Sequence, residues 1–168
     1  MTVLVTGGAG YIGAHTVRAL RDANRKVVVL DTLERGNREA VVDAELIVGD
    51  IADQELVGKI CKEHSVTSVV HFAAYKAVGE SMAKPEMYWS NNVASTEKLL
   101  AVLADNKVDK FVFSSSAAVY GTPKSVPVTE AMPTLPESVY AETKLAVEKY
   151  LGTLAVRATQ PINSVSLR

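Results

Sequence analysis

The chain has 168 residues, a formal net charge of −1 and 48% hydrophobic residues, which suits one domain with its own core. That balance leaves no electrostatic footprint for nucleic acid or an anionic membrane, and no apolar run is long enough to span a bilayer. Cys61 is the only cysteine, so an internal disulfide is excluded; the cytoplasm is the expected compartment, and His15, His64 and His71 lack the spacing of a metal site.

The first apolar run, Val3–Thr6, follows Met1 with no room for a signal peptide and reads as a strand. It leads into Gly7-Gly8-Ala9-Gly10-Tyr11-Ile12-Gly13 and a helical pattern over 12–23. A strand that turns on glycines into a helix makes a pyrophosphate site. The bare backbone approaches the phosphates, and the helix N-terminus offers free N–H groups and a positive dipole end. A second strand, Val27–Leu30, ends at Asp31, where a carboxylate can accept both ribose hydroxyls and repel a 2′-phosphate. NAD, not NADP, is the expected cofactor. The alternative is an ordinary glycine turn with a surface acid.

Further strands are expected at Leu46–Val48, Ser68–His71, Lys110–Ser114 and Asn163–Leu167, and helices at 53–64, 91–106 and 138–157. On the last helix Val139, Ala146, Tyr150 and Leu154 can share an apolar stripe. Tyr120–Pro136, with Gly121 and four prolines, reads as a long functional loop beside the site. Alternation of strand and helix predicts an α/β, Rossmann-like, doubly wound parallel sheet of about six strands with helices on both faces. Right-handed crossovers favour the order 3-2-1-4-5-6, with ligands at the carboxyl ends of the strands.

Tyr140 and Lys144 stand four residues apart on one face of the last predicted helix. A neighbouring ammonium favours the phenolate, so a tyrosine there can act as a general acid or base near neutral pH. Tyr120 and Lys124 have the same spacing, but Gly121 and Pro123 forbid a regular helix between them. The structural alternative is that Tyr140 anchors the core and Lys144 is solvated. Ser114-Ser115-Ser116 closes the fifth strand, where one hydroxyl can orient a substrate oxygen while another ties strand to loop.

These motifs resemble the extended short-chain dehydrogenase/reductases and, within them, the UDP-glucose 4-epimerase family. The resemblance spans essentially the whole chain, as the N-terminal half of a typical member. It runs through Leu4–His15, Leu30-Asp31-Thr32-Leu33 with Gly36, Gly49-Asp50-Ile51, His71-Phe72-Ala73-Ala74, Tyr88 through Asn91-Asn92-Val93, and Phe113–Gly121. The segment Lys76-Ala77-Val78-Gly79-Glu80-Ser81 looks like the epimerase signature more than that of dehydratases or decarboxylases. Ser115 and Ser116, where a 4,6-dehydratase would carry an Asp-Glu pair, point the same way.

The resemblance implies interconversion of UDP-galactose and UDP-glucose, with NAD as a tightly held prosthetic group. Tyr140 would take the proton of the sugar 4-hydroxyl, Lys144 would bind the nicotinamide ribose, and Ser116 would hold the 4-oxygen. Gly7, Gly10, Tyr11, Ile12 and Gly13 would lie along the pyrophosphate, and Asp31, Thr32, Leu33, Arg35 and Gly36 around the adenosine ribose. Asp50 and Ile51 would frame the adenine. Phe72, Ala73 and Ala74 would pass under the cofactor, with Lys76 reaching its oxygens and the sugar. Asn91 and Ser114 would support the nicotinamide side. A homodimer through the helices near 91–106 and 138–157 is also implied, and Leu99, Leu100, Val102 and Leu103 make the first of these apolar on more than one side.

Two positions depart from the family pattern without much weight: Tyr75 before Lys76, and Ser95 where glycine is usual. Family members continue beyond the strand that ends near Arg168, with a Tyr-Phe-Asn segment and a smaller domain that binds the uridine nucleotide. The expectation is therefore one NAD-binding domain over 1–168 carrying Ser116, Tyr140 and Lys144, without that second domain. The alternative functions are a catalytically silent NAD-binding unit, or another nucleotide-sugar epimerase, dehydratase or decarboxylase of the same superfamily.

Overall fold

The computed structural model describes residues 1–157 and 159–168. Six parallel strands, β1 (Thr2–Thr6), β2 (Lys26–Asp31), β3 (Glu45–Val48), β4 (Val66–His71), β5 (Lys110–Ser114) and β6 (Asn163–Leu167), form one sheet. Their order is β3-β2-β1-β4-β5-β6, so the chain adopts the expected Rossmann-like topology. In chain order the helices are α1 (Tyr11–Asp22), α2 (Gln54–Glu63), α3 (Val78–Ala83), α4 (Pro85–Tyr88), α5 (Ser95–Asp105) and α6 (Val139–Ala155). No helix among the described residues is long and apolar enough to cross a membrane.

Strand periodicity divides the core between two faces. Leu4, Val28, Leu30 and Val69 join buried residues of α2, α5 and α6 on one side. Val3, Val5, Val27 and Val29 meet Val17 of α1 on the other. β1 is buried throughout, as a central parallel strand must be. The strand order reverses between β1 and β4, with β2 and β3 laid to one side and β4 to β6 to the other, which opens a crevice at the carboxyl ends of these parallel strands.

Local chemistry sets the helix starts. The Asp53 carboxylate accepts from the Leu56 N–H at 3.0 Å, and the Ser138 hydroxyl oxygen from the Ala141 N–H at 3.2 Å. Three expectations need correction. Regular helix in the 91–106 region begins only at Ser95, because Trp89–Ala94 forms a wider π turn around the buried side chain of Asn92. Val78–Tyr88, for which no helix is expected, holds two short helices separated at Lys84-Pro85. On α6 the core face is Ala141, Lys144, Val147, Leu151 and Leu154, whereas Val139, Ala146 and Tyr150 sit half-buried on its flank.

Candidate active site

A cleft of about 650 Å³ opens at the carboxyl ends of β1, β2, β4 and β5. Every residue with an expected site role lines it except Leu33. Glycine is required at Gly7 and Gly13 by the protein itself. A Cβ at Gly7, where φ is +71°, would lie 2.5 Å from the Ala73 nitrogen, and one at Gly13 would lie 2.2 Å from the Gly7 carbonyl oxygen. Gly10 differs, since its Cβ would meet only the Gly7 oxygen at 3.4 Å. The bare backbone at Gly10 is thus space left to the cleft. The first helical bond of α1 runs from the Ala14 N–H to the Gly10 oxygen at 2.9 Å, which leaves the Tyr11, Ile12 and Gly13 amides in the position that attracts anions. Tyr11 and Ile12 are 79% and 60% exposed at its rim, large apolar surface for a ligand to cover.

Asp31 is buried, and its carboxylate oxygens accept from the Ala9 and Leu33 N–H groups, each at 2.9 Å. Those two bonds fix the carboxylate and leave it lone pairs for further donors. Leu33 therefore contributes through its backbone, which takes a φ of +61° to reach Asp31. Asp50 accepts from the Ala52 N–H at 2.8 Å beside buried Ile51.

The other end of the cleft is assembled from side chains. The Lys144 ammonium is buried and donates to the Ser114 carbonyl at 2.8 Å, with its nitrogen 4.8 Å from the Phe113 ring centroid and 5.9 Å from that of Tyr140. Burial lowers its pKa to about 8. The Tyr140 N–H donates to the Ser81 hydroxyl at 3.0 Å, and that hydroxyl donates to the Val78 carbonyl at 2.6 Å. The signature segment Lys76–Ser81 is thereby tied to the start of α6.

The serine cluster divides its roles. The Ser115 hydroxyl donates to Glu148 on α6, whose carboxylate also pairs with Arg168. Ser116 accepts from the Ala118 N–H at 3.1 Å, and its own proton stays available to a substrate oxygen. The Arg168 guanidinium donates to the Tyr120 hydroxyl at 2.7 Å, and Glu148 and then Tyr120 raise its pKa.

Several supporting residues escaped the sequence reading. Buried Asn92 accepts from the Tyr75 N–H at 2.8 Å and donates to the Tyr75 carbonyl at 3.0 Å and the Thr143 hydroxyl at 3.2 Å. Asn91 donates to it at 2.9 Å. His71 sits between Thr6 at 2.6 Å and Thr96 at 3.0 Å. The Thr96 proton goes to the Asn92 carbonyl, so His71 carries its proton on Nε2 and accepts from Thr6 at Nδ1. Burial, and then the charge of Lys144, lowers its pKa to about 3. No described residue of 121–136 lines the cleft; Met132 of that loop packs on Val119, Tyr120 and Leu145 instead.

The glycine turn at a helix start and the buried carboxylate at the end of the next strand mark a Rossmann-like dinucleotide fold, and Ser116, Tyr140 and Lys144 line the same crevice. The chain belongs to the NAD dependent epimerase/dehydratase family, which it matches over residues 3–168. It is 48% identical over 149 residues to the UDP-glucose 4-epimerase of Halalkalibacterium halodurans, covering 89% of this chain and 45% of that protein. The UDP-glucose 4-epimerase of Azospirillum brasilense is 46% identical over 167 residues, covering 99% and 47%. The UDP-glucose 4-epimerase of Brucella ovis, solved in complex with NAD, superposes with a TM-score of 0.96 at 38% identity, over 99% of this chain and 51% of that one. The chain spans about half the length of the curated relatives it matches.

Proposed function

We propose that residues 1–168 form the NAD-binding unit of a UDP-glucose 4-epimerase, carrying its proton-transfer residues. One observation carries this reading: Ser116, Tyr140 and Lys144 share a single cleft with the glycine turn and Asp31. The site fits NAD. Gly10 leaves the room that a phosphate needs, the start of α1 offers its amides, and Asp31 presents a fixed carboxylate to ribose hydroxyls. A 2′-phosphate would meet that negative charge.

When bound, NAD supplies a hydride acceptor and donor at the sugar C4, so that carbon passes through a ketone with no net oxidation. Tyr140 takes the proton of the 4-hydroxyl and returns it. Ser116 donates a hydrogen bond to the 4-oxygen, using the proton that its contact with Ala118 leaves free. Lys144, held by the Ser114 carbonyl, anchors the cofactor ribose beside Tyr140, and Lys76 reaches sugar and cofactor oxygens. Phe72, Ala73 and Ala74 form the floor, and Asn91 supports the nicotinamide side.

The relatives named as UDP-glucose 4-epimerases support UDP-galactose and UDP-glucose as the substrates. The cytoplasm fits a chain whose single cysteine is a buried free thiol. A homodimer through α5 and α6 rests on the family resemblance alone, because Leu99, Leu100, Val102 and Leu103 are already buried within this chain.

Denaturing the purified protein and assaying the released small molecules tests the cofactor assignment. Stoichiometric NAD(H) is expected, and folded protein that stays empty when NAD is supplied would overturn it. UDP-galactose added to the loaded protein then tests turnover. Conversion to UDP-glucose that falls by about 10²–10⁴-fold in Tyr140→Phe supports the epimerase assignment. Stoichiometric cofactor without conversion identifies an NAD-binding unit that is silent by itself.

A further inference from the structure

Arg35 follows β2 and Glu80 follows β4, and these strands flank β1 on opposite sides. Contact between them therefore crosses the crevice above the glycine turn. The Arg35 guanidinium makes that contact with two bonds to the Glu80 carboxylate, at 2.9 and 3.2 Å. It also lies 4.2 Å from the centroid of the Tyr75 ring, whose hydroxyl donates to Glu34 at 2.8 Å. Glu80 is the fixed end, because the hydroxyl of fully buried Tyr88 lies 2.9 Å from its carboxylate and holds the Ala77 backbone besides. Arg35 is the free end, with its side chain 44% exposed.

Glu34, Arg35 and Tyr75 line the cleft, whereas Glu80 does not. We propose that Glu80 is a positioning residue that latches Arg35 across the crevice, so that the dinucleotide enters and leaves only when this pair opens. The proposal rests on the NAD reading above. A latch that is closed in the free protein, as here, and closes again over the bound dinucleotide retards entry and exit alike. It sets the rate of exchange and leaves affinity nearly untouched, unlike a direct contact, whose loss raises only the dissociation rate.

The test is stopped-flow fluorescence of NADH binding to the folded protein freed of its cofactor, and of its displacement by excess NAD. Wild type is compared with Glu80→Gln, which keeps an acceptor for Tyr88 but removes the charge facing Arg35. Both rate constants are expected to rise about five- to tenfold, with Kd changed less than about twofold. Added salt should speed exchange in wild type and much less in the variant, since the pair is partly exposed. Tyr75→Phe, which releases only the bond to Glu34, should raise both rates by a smaller factor. Unchanged rates in Glu80→Gln, or a faster dissociation with unaltered association, would overturn the latch while leaving the cofactor reading intact. Wild type that stays folded without its cofactor and then binds no NADH would overturn the cofactor reading itself.

Discussion

The two ends of the cleft are built by different physics. At the glycine turn, backbone packs on backbone: Gly7 lies against Ala73, Gly13 lies against Gly7, and the Asp31 carboxylate is held by two main-chain N–H groups. At the Tyr140 end, side chains from separate segments hold one another. Ser81 receives the Tyr140 N–H, Asn92 joins Tyr75 to Thr143, and Glu148 gathers Ser115 and Arg168. The first construction tolerates almost no added atoms. The second can lose one partner and persist, at the cost of unpaired polar groups.

That contrast breaks first at the glycines. Gly13→Ala drives a Cβ to within 2.2 Å of a backbone oxygen, and neither side can yield cheaply. We expect it to cost about 3 kcal/mol or more in urea denaturation. Gly10→Ala meets only the contact at 3.4 Å, so its stability should change by less than about 1 kcal/mol while NAD binding weakens. Equal destabilisation by the two substitutions would show that the turn is not divided between packing and ligand as described.

The Tyr140 end is probed by Asn92→Ala. The substitution leaves the N–H and carbonyl of half-buried Tyr75 without their side-chain partner, and the Thr143 hydroxyl oxygen without a donor. A loss of about 2–3 kcal/mol in the same assay is expected. A loss below about 0.5 kcal/mol would mean that water replaces the amide, and that this end does not depend on Asn92.

The same contrast explains what the sequence discloses. Strand alternation, the glycine spacing and Asp31 at the end of its strand are local patterns with steric causes, and β5 and β6 begin and end where the periodicity places them. Tyr140 and Lys144 are legible because helical spacing puts them on one face. Ser81 is not, since its partner Tyr140 lies 59 residues away and Ser81 itself lies on a helix of six residues. Asn92 hides in a π turn, whose wider winding erases the helical period. Tyr75, which looks like an incidental substitution, faces the cleft under Arg35. The signal that could have found Ser81, Glu80 and Asn92 was present. All three lie in the segments that carry the family resemblance, but nothing local assigns their partners.

His71 belongs to both constructions, because Thr6 on β1 stands on one side of its ring and Thr96 on α5 on the other. The bond to Thr96 uses the Nε2 proton in either state, whereas the bond from Thr6 needs the neutral ring, with the acceptor nitrogen toward Thr6. Protonation would turn that nitrogen into a donor and place a cation near buried Lys144. Because the folded pKa is depressed, from 6.5 to about 3, the resulting stability is fully present above pH 6.5 and is lost as the pH falls toward 3. Lys144 is protonated throughout that window, its own pKa being about 8, so it adds a constant background. Between pH 7 and pH 5 wild type should lose about 2 kcal/mol more than His71→Gln, a variant that keeps a donor and an acceptor. The rest of the chain is the same in both proteins and cancels in the difference. Urea midpoints at the two pH values measure it. Parallel losses would mean that His71 accepts its proton without breaking the tie.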